Sequence, residues 1–142
     1  MPPTRQQVID TWFDGLNTTQ RDPIATLFAP HHLIRNAANP PLEGPDAIDR
    51  LLGDFYERTT SRHFTVHGTA HSPTRSFARW TGELTFADGA TIAGHTVEAF
   101  TINIDGIDIF EFGTTGHITT LDIVHQTTTV AVAATAHTRN TP

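Results

Sequence analysis

Cysteine is absent from this chain of 142 residues, which removes disulfides, thiolate catalysis and cysteine-based zinc sites from consideration. Lysine is absent too. All nine basic residues are arginine, and against 15 acidic residues they leave a formal charge of −6, which opposes partnership with nucleic acid or an anionic membrane. No stretch approaches the roughly 20 apolar residues needed to span a bilayer, and the opening "MPPTRQQVID" lacks the apolar run of a secretory signal. A soluble cytoplasmic protein is expected. The length suits one compact domain better than two.

What is present is patterned. Thr4 to Thr18 reads as a helix: Thr4 can cap it, Gln7 stands at capping-box distance, and Val8, Trp12 and Leu16 recur at helical spacing with Ile9 and Phe13 beside them. Asp22-Pro23 supplies a cap and a first-turn proline for a short second helix through Ile24, Leu27 and Phe28, stopping before Pro30. "HHLIRNAANPPLEG" reads as irregular or extended. Gly44-Pro45-Asp46 opens a third helix carrying Ala47, Ile48, Leu51, Leu52, Phe55 and Tyr56 and ending near Arg58.

The period then changes to two. "HFTVHGTAH", "RSFARWTGELTF", "TVEAFTINI", "IDIFEF" and "HITTLDIVHQ" are strand-like, separated by Ser-Pro, Asp-Gly and Gly-Thr-Thr-Gly turn signals. Helices first and strands afterwards predict an α+β fold, a strongly curved, mostly antiparallel sheet with three N-terminal helices on one face. On this reading residues 1–126 form a single domain, and residues 127–142, rich in Thr and Ala, form a frayed tail.

Two constellations could carry chemistry. His63, His67 and His71 would share one face of a helix and suggest zinc, but Thr65, Val66 and Gly68 favour a strand, where residues four apart lie about 13 Å apart. No metal is expected. In "GIDIFEF" (106–112), strand alternation puts Asp108 on the face of Phe110 and Phe112, and Ile107, Ile109 and Glu111 on the other. If that aromatic face is interior, desolvation raises the Asp108 pKa and leaves it a proton to donate. If Asp105-Gly106 instead makes a hairpin turn, Asp108 sits near its end, partly solvated and paired with an arginine.

"WFDGLN", "DPIATLFAP", "PPLEGPDAID" and above all "GIDIFEFGTTGHITTLDIV" resemble the nuclear transport factor 2-like superfamily, and within it SnoaL-like polyketide cyclases and ketosteroid isomerases, over Val8 to His125. The resemblance implies a cone-shaped α+β barrel, commonly a homodimer, whose mouth receives a hydrophobic small molecule without a cofactor. It places Asp108 where the isomerases hold a protonated aspartate of the oxyanion hole. Trp12 stands where they have a tyrosine, and Asn36 or nearby Asn39 where they have the general base; an amide cannot abstract a proton.

The cyclases and limonene epoxide hydrolases hold an acid in the last strand. "TTLDIV" offers Asp122, although alternation sends it to the face opposite Leu121, Ile123 and His125. The hydrolases also need an Arg-x-Asp pair, and this chain has Arg79-Trp80-Thr81. His125 could be a base or a rim residue, Tyr56 could turn its hydroxyl into the pocket or lie at the surface, and Glu98 could pair with Asp108 as a second buried carboxyl group.

The expected pocket therefore has Asp108, Asn36 and Trp12 as catalytic groups. Phe28, Tyr56, Trp80, Glu98, Phe110, Phe112, Leu121, Ile123 and His125 are its expected wall. That inventory suits cofactor-independent cyclisation of a hydrophobic polyketide chain, by [4+2] cycloaddition, aldol-type closure or oxygen-ring closure. An isomerase, an epoxide hydrolase and a non-catalytic binding module are the alternatives. The face of Ile107, Ile109, Thr119 and Asp122 is the expected dimer surface.

Overall fold

A computed structural model of the protein describes residues 3–92 and 94–132. Three helices, α1 (Arg5–Asn17), α2 (Asp22–Ala25) and α3 (Ala47–Arg58), accompany eight strands: β1 (Phe28–Asn36), β2 (Leu42–Gly44), β3 (Thr59–His71), β4 (Arg75–Phe86), β5 (Thr91–Ile92), β6 (His95–Thr96), β7 (Phe100–Phe112) and β8 (Ile118–Val132). Six strands form one sheet in the order β2-β1-β8-β7-β4-β3, and β5 pairs with β6 alone. All neighbours in the large sheet are antiparallel except β1 and β8, which run parallel. This is the expected α+β architecture of helices over a mostly antiparallel sheet, with the sheet left open. None of the described helices is long and apolar enough to cross a membrane.

Helix α1 forms as its sequence dictates. The Thr4 hydroxyl accepts from the Gln7 backbone N–H and the Gln7 side chain accepts from that of Thr4, so two otherwise unpaired donors are satisfied. Val8, Ile9, Trp12, Phe13 and Leu16 are buried against the sheet. At the far end the Asn17 amide grips Phe64 of β3, donating to its carbonyl at 3.0 Å and accepting from its N–H at 2.7 Å. The side chain thus stands in for a neighbouring strand.

Helix α3 is capped from the core: the buried His32 donates from Nδ1 to the Ala29 carbonyl and accepts at Nε2 from the Ile48 N–H. Both ring nitrogens are satisfied, which fixes the neutral tautomer.

Three expectations about the elements change. Helix α2 stops at Ala25, and Phe28 opens β1 instead of closing the helix. The stretch from His31 to Asn36 is strand, in keeping with its extended reading, and residues 33–36 pair in parallel with β8 after a shift of register. β8 continues through Val132, its end paired with β7, so the segment from Thr127 does not begin a tail; residues 133–142 lie outside those described.

Asp105-Gly106 makes no turn. Both lie inside β7, opposite Thr81 and Trp80. The glycine is there for space: a Cβ at Gly106 would come within 2.4 Å of the Trp80 ring, closer than packed atoms tolerate.

The Gly106→Ala variant is therefore expected to lose about 1–3 kcal/mol of stability, the usual range for overpacking a core. Urea unfolding followed by circular dichroism would measure it, and an unchanged midpoint would mean that Trp80 does not rest on that backbone.

Candidate active site

The inner face of the sheet carries the alternation predicted around Asp108. Ile102, Ile104, Gly106, Asp108 and Phe110 are buried along β7, with Asn103 and Ile107 exposed between them. Asp108 is 2% exposed and stands between Ala78 of β4 and Ile123 of β8. Each carboxyl oxygen accepts one indole hydrogen: Oδ2 from Trp12 Nε1 at 2.9 Å and Oδ1 from Trp80 Nε1 at 2.9 Å.

Trp12 comes down from α1 and Trp80 lies across the flat of Gly106, so two separate elements converge on one group. Burial pushes the Asp108 pKa up to about 7, and the two indole hydrogen bonds hold it from rising further. The carboxyl group is thus poised between its two states near neutrality.

Asp108 lies on the wall of a cavity of about 90 Å³ closed by α1 and α3 over the sheet. Trp12, Phe13 and Leu16 line it from α1; Leu51, Leu52, Phe55 and Arg58 from α3; Phe64, Trp80, Leu84, Ile104 and Ile123 from the strands. Asn36 and His125 complete the wall. They meet because β1 and β8 pair in parallel, with Asn36 opposite Ile123, so His125 reaches across to put Nε2 3.2 Å from Asn36 Oδ1.

That oxygen only accepts, so Nε2 carries the proton and Nδ1 holds a lone pair. Nδ1 is buried with no partner among the described residues. Burial also lowers the His125 pKa, keeping the ring neutral. Gly106 faces His125 and Asp108 faces Ile123. On the inner face the Asp108 and His125 side chains are therefore diagonal neighbours, about 7–8 Å apart at their roots.

Six of the expected residues, Asp108, Trp12, Asn36, Trp80, Ile123 and His125, share this cavity. Others do not reach it. Phe28 and Phe110 pack edge-on against Trp12, with ring centroids 6.1 and 6.3 Å away, and support the indole from behind. Leu121 is fully buried opposite Phe110, and Phe112 lies under the Arg5 guanidinium. Tyr56 donates its hydroxyl hydrogen toward the Gln20 carbonyl at 2.9 Å and toward that of Gly15, tying α3 to the end of α1. Glu98 precedes β7 and is exposed, so it forms no buried pair with Asp108.

Asp122 is ion-paired with Arg35, and Arg79 with Asp105, so neither Asp122 nor Arg79 enters the cavity. His63, His67 and His71 lie exposed on β3, where His67 hydrogen-bonds Thr81 and His71 hydrogen-bonds Ser76. No group of three potential metal ligands occurs among the described residues. The lining residues of α3 were readable only as a core stripe, since helical period marks the buried face but not a gap beneath it. Arg58 carried no signal beyond ending that helix.

The model of the SnoaL-like domain family matches residues 9–121, and the chain belongs to that family. No curated protein matches it significantly. A protein of Shewanella denitrificans OS-217, provisionally designated a SnoaL-like polyketide cyclase, is similar with a TM-score of 0.72 at 14% identity, over 85% of this chain and 89% of its own. SalBIII, described as an epoxide hydrolase/cyclase-like enzyme in pyran ring formation in polyether salinomycin, gives 0.68 at 16% identity, over 90% and 95%. An LEH-like epoxide hydrolase of M. tuberculosis gives 0.67 at 12% identity, over 84% and 80%. At these identities the likeness establishes the fold.

The raised Asp108 pKa has a sign that can be tested. Between an ordinary value near 4 and about 7 the folded state keeps a proton that the unfolded state releases, so this group's contribution falls as pH rises through that window. At about 1.4 kcal/mol per unit the change sums to about 4 kcal/mol. Denaturant unfolding of wild type and Asp108→Asn from about pH 4 to 8 isolates it, because His125 titrates in both proteins. Parallel stability profiles would show that Asp108 is not desolvated.

Proposed function

We propose that this SnoaL-like domain is a cofactor-independent ring-closing enzyme acting on a hydrophobic, polyketide-type chain, with Asp108 as acid and His125 as base. The observation that carries the reading is the buried carboxyl group with a pKa near 7, fixed by two indoles on the wall of an apolar cavity. A proton-transfer group works best when its pKa lies near the working pH. The indoles hold both carboxyl oxygens in place without neutralising the acid, so little reorganisation accompanies the transfer.

Protonated Asp108 donates to a carbonyl or epoxide oxygen of the substrate as the ring bond forms. The His125 Nδ1 lone pair takes the proton lost by the attacking hydroxyl or carbon, and Asn36 holds the ring in that tautomer. The product has the substrate's mass, and the two side chains exchange protons with solvent to reset. The small cavity adds preorganisation, since it admits only the reacting portion of a flexible chain in a restricted set of conformations. A [4+2] closure would use the Asp108 hydrogen bond alone. Hydrolysis is disfavoured because Asp122 and Arg79 are committed to ion pairs outside. The likeness to SalBIII supports ring closure as the class of reaction.

A homodimer through the outer sheet face is part of the same proposal. Ile107 and Val124 sit directly opposite each other there, 43% and 56% exposed, and apolar side chains paired on an open sheet face favour cover. Val124→Asp should then shift the protein toward monomer in sedimentation velocity, and a wild-type monomer would remove the dimer.

Activity is tested by incubating the protein with linear polyene, enone and epoxide polyketide mimics and separating the products with mass detection. A new peak of unchanged mass is expected. A gain of one water would replace this reading with hydrolysis, and no conversion would replace it with a binding module. Asp108→Asn should lower kcat by about 10²–10⁴-fold.

The wild-type rate should fall as pH rises past about 7, when Asp108 loses its proton, and also on the acid side as His125 gains one. His125→Gln should abolish the acid limb and leave the alkaline one. An alkaline limb that survives Asp108→Asn would remove Asp108 as the acid.

A further inference from the structure

The cavity has a second room. Asn36, Leu51 and Arg58 line the inner chamber and also the wall of an outer chamber of about 410 Å³, which adds Asn39, Arg50 and Asp54. The inner chamber, at about 90 Å³, is smaller than the roughly 150 Å³ cavity known to take up benzene. A polyketide-sized molecule that places its reacting atoms against Asp108 must therefore leave the rest of its length beyond Arg58. The two rooms differ in character. The inner wall is mostly aromatic and aliphatic around Asp108, with Asn36, His125 and Arg58 at its polar side, whereas the outer wall shares Asn36 and Arg58 and adds Asn39, Arg50 and the Asp54 carboxylate.

Arg58 stands at the junction with a donor to spare. Its Nη2 meets Asp54 at 2.9 Å, while its Nε is buried and has no hydrogen-bond partner among the described residues. A buried N–H without an acceptor is costly, and a guanidinium edge is shaped for a carboxylate. The Asp54 partner is 63% exposed in its side chain, so it screens Arg58 only weakly from a second anion. Arg50 adds a second cation on the outer wall, itself paired with Asp46 at 3.3 Å.

We propose that Arg58 is the binding site for a carboxylate at the unreactive end of the substrate, so that the enzyme acts on amphipathic free acids and not on esterified or carrier-tethered chains. The apolar portion enters the inner chamber, the carboxylate stops at the Arg58 Nε edge, and the distance between them selects which carbon reaches Asp108. This rests on the inner chamber being the reactive site.

The only two tryptophans of the chain, Trp12 and Trp80, both line the inner chamber, so intrinsic fluorescence reports its occupancy. Titration with 2,4-decadienoic acid and with its methyl ester near pH 7.5 compares an anionic and a neutral end on one apolar body. The acid should bind wild type at least about tenfold more tightly, as expected for a charge-assisted pair partly shielded from water. Arg58→Met should bring the acid down to the level of the ester while leaving ester binding within about twofold, which also shows that the variant is folded.

Arg58→Lys, which keeps the charge but not the planar edge, should fall between. Equal affinities in wild type, or a preference that survives Arg58→Met, would overturn the carboxylate site while leaving the inner chamber as a ligand site. Absence of any fluorescence change with either probe would overturn both.

Discussion

Two indole N–H groups on one buried carboxyl group are the constraint on which the rest of the structure depends. Trp12 and Trp80 come from a helix and a strand far apart in sequence, and each satisfies a different oxygen of Asp108. Around them the packing is arranged in service of that geometry. Phe28 and Phe110 meet Trp12 edge-on, Gly106 lies flat beneath Trp80, and Phe64 packs edge-on to Trp80 from β3 with centroids 5.2 Å apart. Gly82 makes room for Phe64 in its turn, since a Cβ there would fall 2.9 Å from that ring. A chain of aromatic contacts thus links the helical layer to the sheet, and the carboxyl group is where it converges.

The energetics explain why such a group titrates near neutrality. A carboxylate moved into an apolar cavity without partners would shift its pKa by several units. Charge-assisted hydrogen bonds to ionised groups are worth about 1.5–3 kcal/mol each, so two of them offset much of that penalty but not all of it. The remainder, from 3.8 to about 7, corresponds to about 4 kcal/mol favouring the protonated form. On the same figures a third donor would lower the pKa by roughly 1–2 units and removal of one indole would raise it by as much.

Much of this was legible in the chain because alternation along a strand is a strict rule. Alternation alone puts Asp108 on the face of Phe110 and Phe112, Asp122 on the face opposite Leu121, and His125 beside Ile123, while only the family resemblance makes the Asp108 face interior. Helix α1 shows in its capping box and apolar stripe. What counting could not supply was depth and context. Phe28, Phe110 and Leu121 have the right polarity for a pocket wall but lie in the layer behind it, and Phe112 lies under Arg5. Asp105-Gly106 has the composition of a hairpin turn, yet its glycine answers to a tryptophan on the next strand. Glu98 kept its alternation with Phe100 only if the strand began earlier than it does. Arg58 and the Asn36–His125 contact depend on pairing between distant elements, for which the sequence carries no local sign.

The distribution of charge around the cavity separates what holds the fold together from what the fold is for. Five of the six ion pairs among the described residues join Arg to Asp or Glu, and all six involve partners with substantial exposure, where such pairs contribute little to stability. Stability comes instead from the apolar contacts of α1 and α3 with the sheet. Asp108 interrupts that core, and an apolar residue of similar shape would remove its desolvation penalty, though it would leave two buried indole donors unpaired. The tryptophans and the aspartate therefore make sense only together. An all-apolar core would contain none of the three hydrogen-bonding groups, whereas the proton delivery proposed for this cavity uses all of them.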